Sequence, residues 1–279
     1  MKPCHLAAIR AGLIFCMLAS AQAQAQHQPP AASKSILGGI DFATAAPVDE
    51  NYRAEFRRCD VENRFRGRTL TGWRKCNDDK NNVTALLKLA NGAIYFESKL
   101  GLDLDGSWKA WNDSGLADQR GTWYQWPRSC AGNERDPKGL CQREQVDAEH
   151  VPFVVIPIDG PDDVKREFRD KTGIDKGDFG VVVFGDKWVP VFVADGGPYN
   201  KLGEASAATL AALGQDRCRH HNLKGFCDKY RDASIESGVV TIIFPGSRQT
   251  EMRADNARRL VCDMAKTKLG FTGSPFCEP

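Results

Sequence analysis

Apolar β-branched runs broken by glycine, proline or aspartate most constrain the fold. Residues 93–96, 151–158, 179–184, 187–194 and 239–244 are rich in Val, Ile and Phe, and each is bounded by turn-forming residues. Residues 181–184 and 239–244 are apolar almost throughout, as expected of strands covered on both faces. Gly185-Asp186 between two runs predicts a tight antiparallel hairpin. Helices are fewer. One is expected over 162–172, ending at Gly173, and a short one after an N-capping Ser206, stopping at Gly214. A third carries Leu260, Val261, Met264 and Leu269 on one face, with Arg258, Arg259, Lys266 and Lys268 turned outward. The expected class is α+β, mainly antiparallel β with a few peripheral helices. Closure into a six-stranded, double-psi-like barrel is one form this pattern leaves open.

The chain begins with a targeting pattern. Lys2 and Arg10 precede and enter an apolar stretch over 11–19 that is too short to span a bilayer. Ala-Gln-Ala over 21–23 and again over 23–25 offers the small-x-small cleavage pattern. Phe15 before Cys16 is a poor match to a lipidation site. The reading is a signal peptide over 1–25, a Gln-, Pro-, Ala- and Ser-rich flexible lead-in over 26–50, and one catalytic domain over 51–279. Removing Lys2 and Arg10 from the 38 basic side chains leaves them equal in number to the 36 acidic ones. A chain so balanced has no general electrostatic pull on nucleic acid or anionic membranes, and neither is expected as a partner. A secreted or periplasmic monomer is expected.

Eight cysteines follow the leader: Cys59, Cys76, Cys130, Cys141, Cys218, Cys227, Cys262 and Cys277. An even number in an exported chain predicts disulfides, and eight permit about a hundred pairings. Pairing of sequence neighbours (59 with 76, 130 with 141, 218 with 227, 262 with 277) is the simplest. Zinc is disfavoured because no Cys-x-x-Cys occurs and His220-His221 lacks ligand spacing on both sides.

The chemistry is sought in VFVADGGPYNKLGEAS over 191–206. An apolar strand runs into Asp195, Gly-Gly-Pro turns the chain, and Glu204 follows between small residues. Two carboxylates on rigid elements are what glycoside hydrolysis needs, one protonating the leaving oxygen and one activating water or attacking the sugar. Spacing alone also fits a turn acid and a helix-dipole acid. Asp103 and Asp105 lie in Asp-Leu-Asp-Gly, which lacks the glycine position and the twelfth-position glutamate of a calcium loop. They suit either a solvated turn or charge-assisted binding of ammonium groups. Trp108, Trp111, Trp123, Tyr124 and Trp126 form a dense aromatic group fit for sugar stacking or for core packing.

The 191–206 segment resembles the active-site signature of the family 75 glycoside hydrolases, the fungal-type chitosanases, in which Asp-Thr-Gly-Pro is followed by Gly-Glu-Ala-Ser. AIYFESKLGLDLDG (93–106), VDAEHVPFVVIP (146–157), FGVVVFGDKWVPVFV (179–193) and ESGVVTIIFPGS (236–247) resemble further family segments in the same order. The resemblance covers about 90–246. It implies endo-acting, inverting cleavage of β-1,4 bonds in a glucosamine polymer, without metal or cofactor, by Asp195 and Glu204. Glu204 is assigned as acid and Asp195 as base, with Asp103, Asp105, Trp108 and Tyr199 as substrate contacts. Gly196 departs from the family's Thr and Leu104 from its Cys. Two rivals stay open. One is a peptidoglycan-cleaving enzyme using Asp195 alone, similar to the barrel domain of membrane-bound lytic transglycosylases. The other is a secreted, non-catalytic carbohydrate-binding protein.

Overall fold

The computed structural model describes residues 27–113, 118–128, 130–223, 225–231 and 234–278, so the leader over 1–25 lies outside the described residues. Six strands form its centre: β1 (Ile94–Asp103), β2 (Phe153–Asp159), β3 (Phe179–Phe184), β4 (Lys187–Pro198), β5 (Glu204–Ser206) and β6 (Ile235–Ile243). They are hydrogen-bonded in the order β1-β6-β3-β4-β2-β5, and β5 pairs back onto β1. The sheet is therefore a closed six-stranded barrel, and the fold class is α+β. Four of its contacts are antiparallel, whereas β4 with β2 and β5 with β1 run parallel. The hairpin at Gly185-Asp186 forms as the sequence suggested, with Phe184 opposite Lys187.

Alternation along the strands explains the closure. One apolar cluster receives side chains from all six strands, among them Phe96, Val154, Val182, Val191, Ala205 and Val239, and is the barrel interior. The intervening residues face outward and are also buried. Val181, Val183 and Ile242 pack with Ala265 and Phe271 from the C-terminal end. Phe153, Phe179 and Phe192 pack with Trp126 and Val261. Both faces of β3 and β6 are thus covered, which is why those segments read as unbroken apolar runs.

The helices follow local rules. Ala207–Ala212 is capped by the Ser206 side chain, which accepts a bond from Thr209 N. Ala257–Leu269 ends at Gly270 with φ 68°. The expected helix over 162–172 is shorter, Glu167–Thr172, because the segment after Pro161 closes as a turn with Val164 N and Lys165 N both on Pro161 O.

Two segments differ from the sequence reading. The supposed flexible lead-in is packed where described: Ala46–Pro47 pairs with Ala85–Lys88, Leu37 is buried, and His27 Nε2 lies 2.8 Å from Glu97 Oε1. Ile36, Leu37, Ile40 and Phe42 give it an apolar edge that the Gln/Pro/Ser composition concealed. The helix Glu50–Glu62, capped by Asp49, buries Tyr52, Phe56 and Cys59 among Phe65 and the barrel residues. Its apolar stripe is narrow and its other faces are charged, so its mean hydropathy gave little sign of it.

All four disulfides join sequence neighbours: Cys59–Cys76, Cys130–Cys141, Cys218–Cys227 and Cys262–Cys277. Such bonds persist in oxidising compartments. Among the described residues no helix is long and apolar enough to cross a membrane.

Ser206 is the junction of β5, β2 and the following helix. Its buried Oγ accepts Phe153 N at 3.0 Å and Thr209 N at 3.2 Å, and donates to Val151 O at 2.8 Å. Ser206→Ala strands these groups and is expected to lower unfolding free energy by about 2 kcal/mol in urea titration. Exposed Ser237→Ala should cost nothing measurable. Equal effects would remove Ser206 from this role.

Candidate active site

Strand register brings the two carboxylates of the 191–206 segment together. Val155 on β2 pairs with Asp195 on β4 and with Glu204 on β5. Asp195 and Glu204 therefore flank one residue on the same face. Their Cα atoms are two strand spacings apart, roughly 9–10 Å. Gly203 makes the approach of β5 to β1 feasible: its φ is +88°, and a Cβ there would fall 2.1 Å from Lys99 O. Both acids open on a cleft of ≈ 490 Å³, which also takes in Asp103, Asp105, Lys99 and Trp73.

Asp195 ends the buried part of β4 and is 6% exposed. Its Oδ1 accepts Gly196 N at 2.7 Å and Trp123 N at 3.1 Å, while its buried Oδ2 accepts nothing. Asp103, also 6% exposed, ends β1 and accepts Asp105 N at 2.8 Å; its Oδ2 is likewise buried and unpartnered. Asp105 accepts Gln119 N at 2.5 Å. One oxygen from each of these three acids lies within 4.8 Å of the others. Oxygens this close suit a small hard cation, and without one the cluster must hold protons. Burial, then the charge of Asp195, pushes Asp105 up to about 9. Burial and the Asp103 charge raise Asp195 well above the usual carboxylate range, and burial with the Asp105 charge does the same to Asp103.

Glu204 has a different setting. Burial raises it, but the Lys99 ammonium pulls it back. Lys99 and Lys201, both buried, share Asp79: Lys99 Nζ bonds Asp79 Oδ1, and Lys201 Nζ donates to Asp79 Oδ2 at 2.8 Å and to its carbonyl at 2.6 Å. Burial works to raise Asp79, and the two lysines more than offset it. On balance Glu204 stays above the usual carboxylate range, burial outweighing the Lys99 ammonium.

The remaining expected contacts divide. Asp103 and Asp105 line the cleft with Asp195 and Glu204. Tyr199 and Trp108 are not among the lining residues. Tyr199 is buried in the core, edge-on to Phe65 at 5.4 Å, because the chain turns inward after Pro198. Trp108 stacks on Phe226 at 4.9 Å with an interplanar angle of 11°. Tyr124 and Trp126 pack on Phe192, and Trp123 reaches the site through its backbone N–H. Lys99, Lys201, Asp79 and Trp73 line the cleft without having been singled out from the sequence. The period-two run Lys99, Gly101, Asp103 on β1 was the available signal.

Gly196, where threonine was expected by resemblance, has no room for a side chain. A Cβ there would stand 2.1 Å from Ile158 Cδ1 and from Ile158 Cγ1. The chain matches no family model and no curated protein.

Two outcomes are expected. Gly196→Thr should destabilise the fold by about 1–3 kcal/mol, and Ile158→Ala should recover much of that loss in the double variant; additive losses in a mutant cycle would contradict the steric account. For Asp105 the sign follows from a folded value raised from 3.8 to about 9. The penalty is absent below pH 4 and grows until the folded carboxyl ionises near pH 9. Asp105→Asn should therefore stabilise the protein at pH 8 by about 1.4 kcal/mol or more and leave it unchanged at pH 3.5; pH-independent stabilisation would contradict the burial account.

Proposed function

We propose that this protein is a glycan-cleaving hydrolase acting outside the cytoplasm on a glucosamine-containing polysaccharide, with Asp195 and Glu204 as its catalytic pair. The observation that carries this reading is their shared pairing with Val155 on the floor of one cleft. Inverting hydrolysis places its carboxyl groups roughly 6.5–9.5 Å apart to admit a water, which is the separation the proposal requires of Asp195 and Glu204. The resemblance to the family 75 chitosanases points to the same pair.

Burial supports the reverse of the division expected from sequence. Asp195, desolvated and beside Asp103 and Asp105, keeps its proton and gives it to the leaving glycosidic oxygen. Glu204, facing Lys99, is the base that takes a proton from the attacking water as that water's oxygen bonds to the anomeric carbon. The glycosidic C–O bond breaks as the new one forms, and the proton gained by Glu204 returns to Asp195 through solvent. The acids at one end of the cleft, Asp103, Asp105 and Asp118, suit ammonium groups of de-acetylated sugars.

Product analysis on chitosan, chitin and peptidoglycan tests this. Wild type should release reducing ends from chitosan with inverted configuration. Asp195→Asn and Glu204→Gln should each lower kcat about a thousandfold while oligomer binding persists. Because the acid must be protonated and the base ionised, activity should fall toward low pH as Glu204 takes a proton and toward high pH as Asp195 loses one. Full turnover in Glu204→Gln would favour a single-aspartate enzyme on peptidoglycan. Binding with no cleavage by wild type would leave a carbohydrate-binding protein.

A further inference from the structure

A tryptophan side chain on a protein surface gives up much of the stabilisation that burying its large apolar area provides. Among the described residues the large hydrophobics that stand exposed are Val61, Trp73 and Leu223, and Trp73, at 67%, is the aromatic one. It is also the one of the three that lines the cleft holding Asp195 and Glu204.

The surroundings of Trp73 hold it in place without covering it. The Arg74 guanidinium lies over its ring, 4.7 Å from the centroid, and Arg74 is drawn to Asp159 at 3.5 Å. The carbonyl of Arg74 accepts Asn200 Nδ2 at 2.8 Å. Two residues on, Cys76 is bonded to Cys59, and Asn63 Oδ1 accepts Cys76 N at 2.9 Å and Asn77 N at 3.0 Å. The loop is fixed on the C-terminal side of the indole, and a cation backs one ring face. The other face has no aromatic or cationic partner among the described contacts.

Its place in the cleft is set by register. Asp159, which anchors Arg74, pairs with Pro198 at the end of β2 and β4. Pro198 is three residues beyond Asp195 along the strand, about 10 Å at the strand rise. Asp103, the last residue of β1, and Asp105 gather at Asp195, one oxygen from each lying within 4.8 Å of the others. The same cleft thus holds an aromatic surface and a cluster of carboxylates.

We propose that Trp73 is a stacking platform for the apolar face of a pyranose ring lying beyond the scissile bond, so that the cleft grips an extended β-linked glycan rather than a disaccharide. This rests on the glycan-cleaving reading above. An indole fixed before binding loses little freedom when a sugar stacks on it, so its contact contributes to affinity nearly in full. The contact is made equally before and at the transition state, so it acts on binding and not on the chemical step.

The test uses the full mature chain carrying Asp195→Asn, titrated calorimetrically with glucosamine hexamer and dimer. Adding Trp73→Ala should weaken hexamer binding about tenfold, leave dimer binding within twofold, and leave the thermal midpoint unchanged. Trp73→Phe should keep most of the affinity. In the chain with Asp195 intact, Trp73→Ala should raise KM on polymer by a similar factor with kcat unchanged. Unaltered hexamer affinity in Trp73→Ala, in a parent that does bind hexamer, would overturn the platform and leave the catalytic reading standing. A parent that binds no oligomer of glucosamine, N-acetylglucosamine or peptidoglycan would overturn both.

Discussion

The three-residue strand Glu204–Ser206 is the constraint on which the rest depends. It pairs in parallel with Gly101 to Asp103 on one side and antiparallel with Val154 and Val155 on the other, and these bonds close the barrel. The same residues do local work. Ala205 points to the interior, Ser206 caps the next helix and bonds β2, and Glu204 turns its carboxylate to the cleft. Closure and placement of the acid are one event. A β5 that lifted away would leave both neighbouring strands with unpaired backbone groups.

Closure also sets the electrostatics. Strand ends that converge beside the seam bring Asp103 and Asp195 into a dry corner where each has an unpartnered oxygen. Such groups cost stability unless they are protonated or neutralised by a cation. Evolution retains costs of this kind at functional sites more readily than elsewhere. On the other side of the seam, the Lys99 ammonium restrains the rise of Glu204, whereas the charge of Asp103 adds to that of Asp195. That asymmetry is what an acid and a base require.

Much of this was legible in the sequence. The run 179–184 matches β3 end to end, and the other four runs each fall on a strand, because β-branched density with turn residues at both ends leaves little choice. Neighbour pairing of the cysteines held, each bond closing a span of 9 to 17 residues. The helix over 50–62 and the packed segment before it were not legible, since their few buried residues sit among charged and polar ones. Within the site, Asp195 and Glu204 were singled out as a pair by the resemblance over 191–206, since their spacing alone fitted a turn acid and a helix-dipole acid as well. Lys99 and Asp79 were not, because their meeting is created by barrel closure and by the loop held at Cys76. Tyr199 misled for the opposite reason: it sits between the two acids in sequence, yet the chain buries it after Pro198. At Gly196, Ile158 occupies the space a side chain would take.

The central claim is that burial at the barrel seam makes Asp195 the proton-holding member of the pair and Glu204 the ionised one. Carboxyl ¹³C NMR titration of protein labelled at Asp and Glu measures this directly. The account predicts that Asp195 remains protonated at a pH where Glu204 is already ionised, with both midpoints above those of free side chains. An Asp195 that titrates at the ordinary aspartate value, or that gains its proton on acidification only after Glu204 has gained its own, would contradict it.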